Sequence, residues 1–243
     1  MAATGGITAI VPARAGSRGI PGKNVWSYEG VTLLERAIRL GQACKRVDRV
    51  IVSTDDAHMQ QLALAAGAEC PSLRPPHLAT DTATSAAVVK HVIEAYDITS
   101  AHVLLLQVTS PLRRLDDLNA MLDFYLNANA PAAVSVVKWD EPRPEKLKKL
   151  QDGKLLPYLG VTYEGPRQAL PQPYALNGAF YLIQRDIFLK AGRFFPDGTI
   201  GFEMAPSRSH NLDSPADLQI LEAMLKAGHW QLETLPAVTF NAK

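Results

Sequence analysis

Between Ala13 and Asn24 the chain reads Ala-Arg-Ala-Gly-Ser-Arg-Gly-Ile-Pro-Gly-Lys-Asn: three glycines, three cations and one serine in twelve residues. Glycines let backbone amides turn inward and approach an anion closely. Arg14, Arg18 and Lys23 carry enough charge to neutralise several phosphate oxygens, and Ser17 adds a hydroxyl. The Gly-Lys-Ser/Thr ending of a Walker loop is missing, and Gly16-x-x-Gly19 lacks the rest of the dinucleotide fingerprint. A solvated basic turn would have a similar composition. Position favours triphosphate binding instead, because the cluster follows the apolar run Ile7–Val11, where a strand would end and nucleotide phosphates settle in α/β sheets.

Three further residues stand out by type and place. Arg74 precedes two prolines and reads either as a turn cation or as a ligand contact. Gln107 closes the otherwise apolar run His102–Gln107, so it either caps a sheet or faces a ligand. Asp213, in His210-Asn211-Leu212-Asp213-Ser214, stands where an acid is stabilised by the start of a helix.

The elements that must position these residues alternate in kind. Strands are expected at 7–11, 49–53, 102–107, 133–138 and 177–184. Helices are expected at 33–44, 56–66, 84–96, 115–126 and from 215 to about 227. Asp55 is expected to cap the second helix, with Gly67 stopping it. Ser214-Pro215-Ala216-Asp217 opens the last helix with Ser as N-cap, Pro at N1 and Asp at N3. Strands alternating with helices imply βαβ units, hence an α/β fold with a doubly wound, mostly parallel sheet. Residues 139–173 break the pattern with many Pro, Lys and Gln while keeping Trp139, Tyr158 and Tyr163. They read as an extended arm, part of a lobe over about 139–195 within a single domain of 1–243.

Composition excludes several classes. The 243 residues are 47% hydrophobic and 20% charged, which supports a sizeable core and rules out global disorder. Lys plus Arg is 25 against 24 Asp plus Glu, a net charge of +1, which argues against holding nucleic acid through bulk charge. No apolar run reaches membrane-spanning length and no signal pattern opens the chain. Only Cys44 and Cys70 occur, without metal or redox spacing, as expected for buried thiols in a reducing cytoplasm.

With its flanks, the first loop resembles the signature of the N-acylneuraminate cytidylyltransferases, the CMP-sialic acid synthetases: a strand, then Pro-Ala-Arg-x-Gly-Ser-Lys/Arg-Gly-x-x-x-Lys-Asn. Ser53-Thr54-Asp55-Asp56, Leu73–Asp81 with Ser85, Leu106–Arg113 and Asn177-Gly178-Ala179 follow in the family's order and spacing, so the similarity covers roughly Ile7 to Leu225. The resemblance implies a nucleotidyltransferase, Rossmann-like sheet and transfer of CMP from CTP to a nine-carbon 2-keto-3-deoxy sugar acid, with release of pyrophosphate. It implies that Arg14, Ser17, Arg18 and Lys23 hold the phosphates and that Asn24 shapes the loop end. Arg74 and Ser85 would address the nucleoside, with backbone near Ala13 supplying part of cytosine recognition. On the sugar side it implies Gln107, Lys146, Arg167 and Asn177, with Tyr181, Phe194 and Phe195 forming an aromatic pocket for an N-acyl group. Lys146 beside Lys148 and Lys149 also fits a solvated basic face, and the aromatics also fit core packing. Arg14, Lys23 and Asp213 are the implied catalytic residues, Mg²⁺ the cofactor, CTP and the sugar acid the partners. A homodimer completed by the 139–173 arm is the implied assembly.

The chain departs from the family where Asp-x-Asp ordinarily precedes the last helix: Asp213 is kept, but Asn211 replaces the first acid. Mg²⁺ keeps several waters, so one carboxylate plus phosphates can hold it, an amide oxygen adding less. Competing readings are the related synthetase for the eight-carbon acid of lipopolysaccharide and a non-catalytic CTP-binding relative. A glycosyltransferase would be expected to carry Asp-x-Asp after a mid-chain strand, where this chain has Gln107-Val108-Thr109.

Overall fold

The computed structural model describes residues 5–17, 19–160, 165–166 and 169–236. The chain opens with β1 (Ile7–Pro12), a fully apolar strand but for Thr8 and the closing Pro12. A two-residue turn at Glu29 and Gly30, both with positive φ, then joins β2 (Ser27–Tyr28) to β3 (Val31–Thr32), the geometry that tight hairpins need. Thr32 caps α1 (Leu33–Ala43) in a reciprocal box with Glu35. There follow β4 (Val47–Ser53), α2 (Ala57–Ala65), α3 (Ser85–Ala95), β5 (His102–Leu105) and α4 (Leu115–Ala128). The second half holds β6 (Ala132–Lys138), the hairpin β7 (Lys148–Gln151) and β8 (Lys154–Pro157), β9 (Tyr174–Gln184), α5 (Arg185–Ala191), β10 (Ile200–Glu203) and α6 (Pro215–Lys226).

Among the described residues, six strands form the central sheet in the order β10-β6-β9-β5-β1-β4. Only β9 runs antiparallel to its neighbours. Alternation along the strands feeds two cores. Ala9, Val11 and Leu104 face one, with Leu34 and Ile38 of α1 and Leu118 and Leu122 of α4. Ile10, Ile51 and Leu105 face the other, with Val89 and Val92 of α3 and Phe188 of α5. Helices on both faces of a mostly parallel sheet are the doubly wound architecture expected.

Several expectations shift. Asp56, not Asp55, caps α2 by accepting from the Met59 N–H. β5 stops at Leu105, so Gln107 lies two residues beyond it. The lobe expected over about 139–195 leaves the sheet only through Pro173, since β9 lies between β6 and β5. The short elements β10 and α5 carried too little pattern to be read from sequence. The arm contains the β7–β8 hairpin, which bears the exposed Leu150 and Leu155.

Candidate active site

The carboxyl ends of β1, β4 and β5 open into a cleft of about 220 Å³ lined by Arg14, Ser17, Lys23, Asn24, Arg74, Ser85 and Gln107. This places the polar residues singled out in the first half of the sequence around one space, where parallel sheets bind ligands. A larger cavity, about 400 Å³, lies at the opposite end of the sheet beside His102 and Tyr125. Its one arginine, Arg185, is paired with Asp186, so it offers no comparable cluster of charge.

The glycine-rich loop is pinned at its far end. Asn24 is buried and donates to the Arg14 carbonyl at 2.8 Å, closing the loop on itself. Lys23 reaches the Leu212 carbonyl at 2.6 Å. Burial lowers the Lys23 ammonium below the ordinary lysine range, a shift that Asp213 opposes and Arg14 reinforces. A Cβ on Gly19 would meet the Asp213 carbonyl oxygen at 1.9 Å, so only glycine lets the loop pass this close to the 211–213 segment. Two acids hold the loop's start: Asp81 accepts from Arg14 Nη1 at 2.7 Å, and Asp55 accepts from the Ala15 N–H at 3.0 Å.

Ser85 is the first residue of α3 and lines the cleft with Ala83 and Val88, while Thr84 caps the helix by accepting from the Ala87 N–H. Ala13 is buried and its N–H is committed to the Ser53 carbonyl at 2.9 Å, leaving no Ala13 donor for a base carbonyl. Arg74 is 5% exposed. Its Nε donates to Ser53 Oγ at 3.0 Å, Nη2 to the Ser53 carbonyl and Nη1 to the Leu78 carbonyl at 3.4 Å. It therefore ties the end of β4 to the loop before α3 while showing one flank to the cleft.

Beyond β5, Gly178 has φ +73, and a Cβ there would stand 2.9 Å from Gln107 Oε1, 3.1 Å from Ser110 Oγ and 3.3 Å from Asn211 Oδ1. Three oxygens from two segments, the 106–113 loop and the 211–213 segment, thus converge on a residue with no side chain. Ser110 Oγ also lies 3.2 Å from the Asn177 carbonyl, and Arg113 Nη1 donates to the Ala179 carbonyl at 2.8 Å, so the 106–113 loop grips the start of β9 from below. Burial pushes the Arg113 guanidinium down to about 9. Asn211 Nδ2 donates to Asp213 Oδ2 at 2.6 Å, and the Leu212 N–H donates to the Thr109 carbonyl. Asp213 itself is exposed.

The remaining candidates divide. Tyr181 packs against both Phe194 (5.6 Å) and Phe195 (5.9 Å). Burial first, then the charge of Asp213, raise the Tyr181 phenol above the ordinary tyrosine range. Phe194 joins the second core, whereas Phe195 is 41% exposed. Asn177 is buried beneath the site: its oxygen accepts from Ser135 Oγ and the Ala179 N–H, and its nitrogen donates to Ser209 Oγ. Its side chain is spent within the protein. Lys146 is exposed on a short helical turn of the arm and does not line the cleft. Arg18 and Arg167 lie outside the described residues. Asp81 and Arg113 lie inside the quoted motifs without a role of their own in the sequence, and Asp55, expected as a helix cap, instead accepts from the Ala15 N–H.

Among the described residues, no group of three His, Cys, Asp or Glu side chains could by itself hold a metal. One exposed carboxylate with an amide beside it still suits Mg²⁺, an ion that fills most of its shell with water and substrate phosphates.

A family model described as cytidylyltransferase matches residues 8–154. The N-acylneuraminate cytidylyltransferase of Streptococcus agalactiae serotype V is 31% identical over 86% of this chain and 50% of its own length. The chain therefore spans about half of that relative. The pseudaminic acid cytidylyltransferase of Campylobacter jejuni is 26% identical, covering 90% of this chain and 96% of the relative. The CMP-N,N'-diacetyllegionaminic acid synthase of Legionella pneumophila is 27% identical, with the same two coverages. A solved CMP:2-keto-3-deoxy-manno-octonic acid synthetase complexed with CTP superposes with TM-score 0.69 at 19% identity, over 92% of this chain and 99% of that one, a likeness of fold.

Proposed function

This chain belongs to the cytidylyltransferase family, and within it we propose that the protein transfers CMP from CTP to the anomeric hydroxyl of a nine-carbon 2-keto-3-deoxy sugar acid. The observation that carries this reading is the cleft that gathers Arg14, Ser17, Lys23, Ser85 and Gln107 at the carboxyl ends of the parallel strands. Relatives named for sialic, pseudaminic and legionaminic acids support the nine-carbon class.

The chemistry is a displacement at phosphorus. The anomeric oxygen forms a bond to the α-phosphorus, the bond from that phosphorus to the bridging oxygen breaks, and pyrophosphate leaves with the electron pair. The hydroxyl proton passes to solvent. What the chain supplies is position and charge. Arg14, Ser17 and Lys23 receive the triphosphate, and Ser85 at the start of α3 meets the nucleoside end. Gln107, held against Gly178, meets the sugar. Tyr181 with Phe195 offers an apolar wall for an N-acyl group. Asp213, with Asn211 or a water beside it, would hold Mg²⁺, which neutralises phosphate charge when bound. Lys146 stands on the arm and is not among the residues lining the described cleft, and the arm is read as serving the neighbouring site of a homodimer. Its exposed Leu150, Leu155 and Tyr158 supply the apolar contact. The buried free thiols Cys44 and Cys70 suit a reducing cytoplasm.

The test is pyrophosphate release from CTP and Mg²⁺ against a panel of nine-carbon keto acids and the eight-carbon one. Turnover with one nine-carbon acid, abolished by EDTA, is expected. CTP binding without turnover across the panel would overturn the reading.

A further inference from the structure

The start of the phosphate loop is thinly packed. Arg14 and Lys23 line the cleft on one side, while on the other a second cavity of about 190 Å³ opens between the loop and Asp56, His58 and Met59. Ile20 and Asn24 anchor the later part in the core, but no side chain from Arg14 to Ser17 is buried. A long cation on such a loop loses much rotamer freedom when a ligand fixes it, a cost that weakens binding unless the geometry is set beforehand.

Two carboxylates from other loops set it. Asp81, ahead of α3, accepts from Arg14 Nη1 at 2.7 Å. Asp55, directly after β4, accepts from the Ala15 N–H at 3.0 Å. The segment that carries Asp81 is itself fastened to β4, because Arg74 bonds both Ser53 and Leu78. Three loops at the carboxyl end of the sheet are thereby tied in a closed circuit, of which Arg14 and Arg74 line the cleft.

On charge alone this arrangement works against the site, since each acid repels a polyanion. We propose that Asp81 and Asp55 are positioning residues, which hold the Arg14 guanidinium and the Ala15 peptide in the geometry that receives a triphosphate. The proposal rests on the CTP reading above. It also predicts a sign that simple electrostatics reverses: deleting Asp81 weakens CTP binding although it removes a negative charge.

The experiment titrates CTP and cytidine by calorimetry into the full chain and its D81A, D81N, D55A and D123N variants, with a thermal melt of each. D81A is expected to weaken CTP about tenfold, the cost of re-ordering one long side chain, with cytidine binding and melting unchanged. D81N, which keeps an acceptor without the charge, falls between D81A and the parent. D55A weakens CTP less. D123N, which breaks the surface pair with Arg46, matches the parent. Equal or tighter CTP binding by D81A overturns the proposal and leaves the nucleotide reading standing. Parallel loss of CTP and cytidine with a lowered melting temperature overturns it as damage to the fold. A parent that binds no CTP overturns the nucleotide reading itself, and the proposal with it.

Discussion

Lys23 donates to the Leu212 carbonyl at 2.6 Å, across 189 residues of sequence, and so joins the first loop of the sheet to the segment that presents Asp213. The same ammonium lines the cleft. It therefore fixes the distance between the phosphate loop and the acid as well as offering charge.

K23M removes both contributions. The loss of one charge-assisted contact to phosphate is expected to raise the KM for CTP by about 10- to 100-fold. The parent should also show a pH effect. A polyanion binds better to the charged lysine, so CTP affinity falls as pH rises through the Lys23 pKa. Burial has lowered that pKa, so the fall begins at a lower pH than for an exposed lysine. Calorimetric titrations at a series of alkaline pH values check this, and K23R should move the fall upward.

N211D tests the departure at the last helix. Asn211 now donates to Asp213 Oδ2 at 2.6 Å, and an acid there would place two carboxylates side by side. Without metal the variant is expected to melt lower than the parent. With Mg²⁺ the gap should close, and half-maximal activation should need about tenfold less Mg²⁺, as added ligand charge tightens such sites. Melting curves with and without Mg²⁺ separate the two effects.

G178A should damage the sugar side selectively. The backbone at φ +73 costs a non-glycine residue roughly 1–2 kcal/mol, and the new methyl would press on Gln107 Oε1 at 2.9 Å. The expected outcome is a raised KM for the sugar acid with CTP binding unchanged, read from paired titrations.

S214A probes the start of α6. Ser214 and Asp217 cap it reciprocally, and the Asp213 N–H also donates to Asp217 at 3.1 Å. Burial by itself would raise the Asp217 carboxyl; the Ser214 hydroxyl and the Ser214 and Asp213 N–H groups outweigh it and hold the group below the ordinary carboxylate range. A carboxyl depressed in the folded state stabilises above its unfolded pKa, about 3.9, and that stability is lost as pH falls through the lower folded value. Urea unfolding is expected to show S214A weaker by about 1 kcal/mol at neutral pH. The gap should narrow below about pH 4.

The glycine-rich loop after β1 was legible in the sequence because its position follows from local facts, an apolar strand and the residues after it. The same holds for the Ser214 cap, which sits within four residues of its partner. Asn177 and Arg74 were harder. Both are polar residues in ligand-associated motifs, but whether a polar side chain faces a ligand or the protein is decided by non-local neighbours: Ser135 and Ser209 for one, Ser53 and Leu78 for the other. Asp55 and Asp56 are chemically the same one residue apart, so the cap was assigned to the wrong one. The place of β9 between β6 and β5 is a property of the whole sheet, and no period within Asn177–Gln184 reports it.

The reversed direction of β9 has a topological consequence. Lys138, the last residue of β6, pairs with Tyr174, the first of β9, and the Trp139 N–H donates to the Pro173 carbonyl just outside them. The thirty-odd residues between are therefore the loop of one very large hairpin, sewn shut at its base and opening on the same end of the sheet as the cleft. Such a loop can lengthen, shorten or be exchanged without shifting the register of any central strand, since closure costs grow only slowly with length. The face that opens on the cleft thus carries a segment whose length can change while the sheet beneath it stays fixed.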